Sequence, residues 1–212
     1  MNITRFPVSP FVEMTYVLWT SDGGDAAVID PGMMRDAERE MVVGFIDEHQ
    51  LQLKHILLTH MHIDHVSSAQ WMSQRYGLPL EGSKADEFMG SALPEQAHHF
   101  RLPLEIEPLT LDKYLSGGDI IHLGDEEIHV LDTPGHSLGS LSFYLPKSNF
   151  VVTGDALFAG SIGRTDLPGG NYSTLIASIK QRLFALPSDT VVYPGHGQET
   201  TIGDEMRFNP YF

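Results

Sequence analysis

The chain has 212 residues, 42% of them hydrophobic and 19% charged, with a mean hydropathy of -0.11; this balance suits one globular domain over residues 1–212 and excludes a disordered or fibrous chain. Thirteen Lys and Arg against 28 Asp and Glu give a formal charge of -15, a field that repels nucleic-acid backbones and anionic membranes. There is no cysteine, so disulfides, thiol nucleophiles, iron–sulfur clusters and thiolate zinc sites are excluded, and any metal must be held by nitrogen and oxygen. No run approaches 18 uninterrupted apolar residues and the first ten residues lack the pattern of a secretion signal, which makes cytoplasmic the expected location.

Taken in chain order, short apolar or β-branched runs bounded by turn residues predict strands at 14–19, 26–29, 55–58, 128–131, 141–144, 150–153 and 191–193. Helical spacing of apolar residues predicts helices over 33–50, 67–76 and 174–183. Between 77 and 108, Pro79, Pro94, Pro103 and Pro108 predict loops beside a site, with a helical turn at 85–89. Strands and helices interleaved in this way point to an α/β fold in which helices pack on sheets.

The chemistry concentrates where strands end. His60, His62, Asp64 and His65 follow the strand at 55–58 directly and place three imidazoles and a carboxylate within six residues. Neutral imidazole and carboxylate are the donors that zinc, iron and manganese take when thiolate is absent. So short a loop does not easily close four ligands on one ion, but it can give two to each of two ions. Further candidates leave later strands: His136 in Pro134-Gly135-His136, Asp155 after Thr153-Gly154, and His196 in Pro194-Gly195-His196. Separations of 71, 19 and 41 residues, from His65 to His136 to Asp155 to His196, leave room for the elements that bring strand ends to one edge. His49, His55, His98, His99, His122 and His129 are read as surface or hydrogen-bonded residues. Asp30, before Pro31, is a candidate to orient a ligand imidazole, and Arg164 a candidate to pair with a substrate carboxylate.

These motifs, with Asp30-Pro31-Gly32 upstream, resemble those of the metallo-β-lactamase superfamily over nearly the whole chain, and within it the glyoxalase II-like hydrolases. The ending Phe208-Asn209-Pro210-Tyr211-Phe212 is similar to that of their short, single-domain bacterial members. The resemblance implies a four-layer αβ/βα sandwich. It also implies two divalent metal ions, zinc foremost with iron or manganese as options: His60, His62 and His136 would hold the first, Asp64, His65 and His196 the second, and Asp155 would bridge. The implied reaction is hydrolysis of a small-molecule thioester of the S-lactoylglutathione type by hydroxide generated between the metals, with Asp64 orienting the nucleophile or taking its proton. A thiolate leaving group needs little acid assistance, which suits a site of this kind. Where the glyoxalase pattern has an aromatic after its arginine, this chain has Asp166. The segment Gly163-Arg164-Thr165-Asp166 also resembles that of persulfide dioxygenases, which implies as the alternative one iron held by His60, His136 and Asp155.

Overall fold

The structure, a computed structural model, describes all residues from Met1 to Phe212. It divides into two compact units, Met1–Tyr114 and Leu115–Phe212.

The first unit is built on a six-stranded sheet of β1 (Asn2–Val8), β2 (Glu13–Trp19), β3 (Asp25–Ile29), β4 (Gln52–Leu57), β5 (Leu80–Gly82) and β6 (Lys113–Tyr114), in that spatial order. β1, β2 and β3 pair antiparallel; β3 to β6 pair parallel. β1 was not expected from the sequence, and it contains Pro7. It tolerates that residue because it is an edge strand, where a missing N–H breaks no ladder bond. Helix α1 (Asp36–Glu48) connects β3 to β4, with Val42, Val43 and Ile46 buried. It starts three residues later than the periodicity suggests, because Glu38 reaches back to accept hydrogen bonds from the backbone of Met34 (2.8 Å) and Arg35 (3.1 Å), which occupies the preceding turn. α2 (Ile63–Val66) and α3 (Ala69–Tyr76) follow β4.

The proline-dotted segment is more regular than expected. It forms β5, α4 (Glu87–Ser91) and α5 (Leu93–His99). Pro94 lies in the first turn of α5, where a helix has no use for that N–H, so this proline starts a helix instead of breaking one. Met89, Leu93 and Ala97 then sink into the same core as Val28, Ile56, Met61, Ile63 and Val66.

At the parallel edge, Glu81 of β5 is buried and accepts from His55 Nδ1 (2.5 Å) and Lys113 Nζ (2.6 Å) of the strands on either side. Burial opposes its ionisation, but the two hydrogen bonds and the neighbouring positive charges outweigh that, and the carboxyl ionises below its ordinary range. A lowered folded-state pKa contributes stability above the unfolded value near 4.5 and loses it as pH falls through the folded value. Glu81→Gln is therefore expected to cost about 1.5–3 kcal/mol at pH 7, the range for hydrogen bonds to a charged group. Urea midpoints measured from pH 7 down to pH 3 should show the gap to wild type narrowing below pH 4.5; a constant gap would mean the charge contributes nothing.

The second unit holds a sheet ordered β14 (Thr200–Thr201), β13 (Val191–Pro194), β10 (Phe150–Gly154), β9 (Leu141–Leu145), β8 (Glu126–Asp132) and β7 (Ile120–Leu123). β10 and β13 are parallel, and the other neighbours are antiparallel. With β9 running opposite between them, β8 and β10 share one direction with β13, so their C-terminal ends lie at one edge. A small hairpin, β11 (Leu157–Phe158) and β12 (Ser161–Ile162), follows β10. The expected helix at 174–183 is α6 (Tyr172–Ser178) continued by a π-helical turn, Ile179–Leu183; its start is set by Asn171, whose side chain accepts from Thr174 N–H (2.9 Å). α7 (Ile202–Phe208) completes the unit, with Ile202, Leu175, Ile179 and Leu183 in its core. No helix is long and apolar enough to cross a membrane.

Candidate metal centre

In the first unit, the residues after β4 alternate between anchor and donor. Met61, Ile63 and Val66 are buried in the apolar core, which turns His60, His62, Asp64 and His65 away from it. The rings of His60 and His62 lie 4.8 Å apart, and those of His60 and His65 4.1 Å apart. His65 is fully buried, whereas the Asp64 side chain keeps 16% of its surface.

Asp30 ties this loop to the end of β3. Its backbone is left-handed (φ 50°), a conformation that a short polar side chain tolerates better than most, and the residue is buried. One carboxylate oxygen accepts from Thr59 N–H (2.7 Å), the other from the Thr59 hydroxyl (2.6 Å) and His65 Nδ1 (2.9 Å). Since the Thr59 hydroxyl donates to Asp30, it accepts from His60 Nδ1 (3.0 Å). Both imidazoles thus carry their proton on Nδ1, and in the neutral ring the lone pair falls on Nε2. Asp30, His60 and His65 have ligand atoms within 4.8 Å of one another, but the carboxylate of Asp30 is engaged by Thr59 and His65, so its part is to orient. Gly32 makes this closeness possible: a Cβ there would strike the backbone oxygen of Asp64 and the carboxylate of Glu13.

Glu13 was not singled out in the sequence. It is fully buried, its Oε2 accepts from Thr15 (3.2 Å), and burial pushes its carboxyl well above the usual range despite the nearby His65. No local pattern marks it, because its surroundings come from Gly32 and His65, distant in sequence.

In the second unit, His136 leaves β8 in a turn closed by hydroxyls: Ser137 N–H donates to Ser140 Oγ (3.1 Å), and Thr133 and Ser142 share a hydrogen bond (2.9 Å). Gly135 in this turn has φ 129° and no room for a Cβ, which would strike the backbone of Leu175 in α6. His136 Nδ1 donates to the carbonyl of Arg164 (2.8 Å); a carbonyl only accepts, so in the neutral form this ring too carries its proton on Nδ1 and its lone pair on Nε2. Asp155 follows β10 and His196 follows β13, and Gly195 N–H bonds the Gly154 carbonyl (2.8 Å) across the parallel pair. Asp155 Oδ2 lies 3.6 Å from His136 Nε2 and 3.6 Å from His196 Nε2.

Those two distances are the test of whether the residues suit a metal. They exceed hydrogen-bond length. Two donors each roughly 2.1 Å from a tetrahedral cation stand roughly 3.4 Å apart, so 3.6 Å is the spacing of ligands that share an ion. The all-nitrogen and oxygen set, with the Nδ1 protons of His60, His65 and His136 already committed elsewhere, fits divalent cations.

The backbone and the side chain of Arg164 have separate partners. Its carbonyl orients His136, while its guanidinium forms a bidentate pair with Asp166 (2.8 Å from Nε and 2.8 Å from Nη2). The arginine's hydrogen bonds hold the Asp166 carboxyl down to about 2, so the pair is ionised throughout the physiological range. The Arg164 side chain keeps 55% of its surface. Of the histidines read as non-ligands, His49 bonds Asp22 (2.7 Å), His129 bonds Glu127 (3.2 Å), and His55 serves Glu81.

Two sheets flanked by helices, with histidines and aspartates gathered at strand ends, define an α/β metalloprotein of the metallo-β-lactamase fold. The chain belongs to the metallo-β-lactamase superfamily, whose sequence pattern it matches over residues 8–196. It is 41% identical to the hydroxyacylglutathione hydrolase GloC of Haemophilus influenzae, over all of this chain and 98% of that protein. Among solved structures, it is similar to BLEG-1, a B3 metallo-β-lactamase, with a TM-score of 0.89 and 34% identity over 99% of both chains. It is also similar to TTHA1623 in a di-iron-bound form, with a TM-score of 0.87 and 35% identity over 99% of this chain and all of that one. Superfamily members bind divalent metals, and the histidine clusters here suit that chemistry.

Proposed function

We propose that the chain is a single functional domain with a dinuclear metal centre, and that the protein hydrolyses a small-molecule thioester of the S-lactoylglutathione type. The observation that carries the dinuclear part is the position of Asp155 Oδ2, equally far from His136 and His196, residues assigned to different ions. In this reading His60, His62 and His136 would hold one cation and Asp64, His65 and His196 the other, with Asp155 as the donor they would share. The whole-length likeness to a hydroxyacylglutathione hydrolase supports the substrate class.

When bound, two divalent cations lower the pKa of water toward neutrality and polarise a carbonyl. The protein's own residues do the rest. Asp30 and the Arg164 carbonyl fix the ring orientations of His65 and His136. Asp64, the least buried donor of its loop, orients the attacking water or takes its proton. The two cations of this reading are zinc foremost, with iron or manganese as options, since imidazole and carboxylate donors accept all three.

Arg164 completes the reading as the partner of a substrate carboxylate, sharing its guanidinium with Asp166. Arg164→Ala is expected to raise KM for a carboxylate-bearing thioester by roughly tenfold or less, about 1.4 kcal/mol, with kcat little changed. An unchanged KM would leave Arg164 a structural partner of Asp166 alone.

The function is tested by elemental analysis of the purified protein together with an assay for S-lactoylglutathione hydrolysis on the same sample. Two divalent metals per chain and thioester turnover are expected. One iron per chain, no turnover, and oxygen uptake with glutathione persulfide would overturn the hydrolase in favour of a dioxygenase.

A further inference from the structure

We infer that Gln96 is a positioning residue for the metal-ligand loop, an inference that rests on the metal centre proposed above. Gln96 lies on α5, in the segment whose prolines suggest loops, and is held there by Leu93 and Ala97 in the core. Its side-chain amide is directed at the loop after β4. Oε1 accepts from Ile63 N–H (3.0 Å); Nε2 donates to the Met89 carbonyl (2.9 Å) and lies 3.5 Å from the Met61 carbonyl.

The groups it meets alternate with the donors. Met61 stands between His60 and His62, and Ile63 between His62 and Asp64. Ile63 N–H opens α2 and belongs to the first turn, whose amides have no partner inside the helix. Only a side chain that both accepts and donates can serve an N–H on one side and a carbonyl on the other, which selects an amide over a carboxylate or a cation.

Asp30 and Gln96 divide the loop between them. Asp30 fixes Thr59 and the ring of His65; Gln96 fixes the backbone at Ile63 and faces Met61. None of these bonds consumes a donor atom assigned to a cation. The ligand loop is thereby set before a cation arrives, and its metal is retained because the backbone cannot spread.

The test is the rate at which the metal-loaded protein yields its metal to a chromophoric chelator, read alongside the melting temperature. Gln96→Leu keeps the bulk of the side chain and removes both polar contacts; about 10- to 100-fold faster release is expected, the range for residues that orient ligands. Gln96→Glu retains the acceptor for Ile63 N–H and is expected to fall between Leu and wild type. Val42→Ala loosens the same core from α1 and leaves α5 and its amide intact, and should lower the melting temperature while releasing metal at nearly the wild-type rate.

Wild-type release from Gln96→Leu would overturn the inference, as would Val42→Ala releasing as fast. Gln96→Glu matching Gln96→Leu would overturn the part assigned to Ile63 N–H. If Gln96→Leu does not fold, Gln96→Glu against Val42→Ala makes the same comparison. A wild-type protein without metal fails the metal centre and this inference together, whereas metal without thioester turnover fails only the substrate assignment.

Discussion

Asp155→Ala is expected to abolish turnover and to leave the purified protein with less than its full complement of metal. The carboxylate oxygen 3.6 Å from both His136 and His196 is the only donor in the second unit placed to serve both ions of the proposed pair. Replacing it by a methyl group takes one anionic ligand from each ion at once. The loss should exceed the 10- to 100-fold range typical of a residue that merely orients a ligand. The fold itself should survive, because Asp155 keeps 12% of its side-chain surface and the β10–β13 pairing beneath it is made by the backbone. Elemental analysis and kcat on the same preparation check this. Full metal content with full activity would refute the dinuclear centre.

The second large effect is expected at Asp30, and Asn is the informative replacement. Asn tolerates the left-handed backbone at φ 50°, so Asp30→Asn tests the hydrogen bonds without the strain that Asp30→Ala would add. The carboxylate accepts three hydrogen bonds, two of them, from the Thr59 hydroxyl and His65 Nδ1, at the same oxygen. An amide that keeps Oδ1 for Thr59 N–H presents NH₂ to those two donors, and both lose their acceptor. A buried group left so costs about 1–3 kcal/mol, which at this chain length lowers the melting temperature by a few degrees. The ring of His65 loses its orientation with it, and metal affinity should fall about 10- to 100-fold. Calorimetry and chelator competition read the two effects separately. A variant that melts like wild type and holds metal as tightly would show that Asp30 is only a turn residue.

What the sequence displays of this site is what local patterns can carry. His60 to His65, His136, Asp155 and His196 each follow an apolar run, and the structure places them in the segments after β4, β8, β10 and β13, with Asp64 and His65 in the short helix α2. Asp30 is legible for the same reason, as the residue after β3 and before a proline. Gln96, Glu13 and Glu81 are not legible. Each has partners 26 to 52 residues away, such as Ile63 for Gln96 or His65 for Glu13, and nothing in their own neighbourhood sets them apart. The prolines between 77 and 108 mislead for a related reason. Pro94 is a breaker or a starter according to which turn of a helix it enters, and that depends on whether Leu93 and Ala97 find a core to join. Arg164 shows the converse: its place in the motif is plain, but the bidentate grip of Asp166 becomes apparent only when the side chains are seen.

Each unit contains parallel strands beside antiparallel ones, and each hangs its histidines and aspartates on the ends of strands that run the same way: β3 and β4 in the first, β8, β10 and β13 in the second. The spacing of those ends is a property of the sheet lattice, with neighbours about 4.8 Å apart, and owes nothing to how many residues the chain spends travelling between them. The connections are therefore open to insertion, deletion and change of composition while the donors stay where they are. Such an architecture separates the inheritance of the metal chemistry from the inheritance of substrate preference, so that a lineage can exchange the groups around the rim many times over without rebuilding the centre.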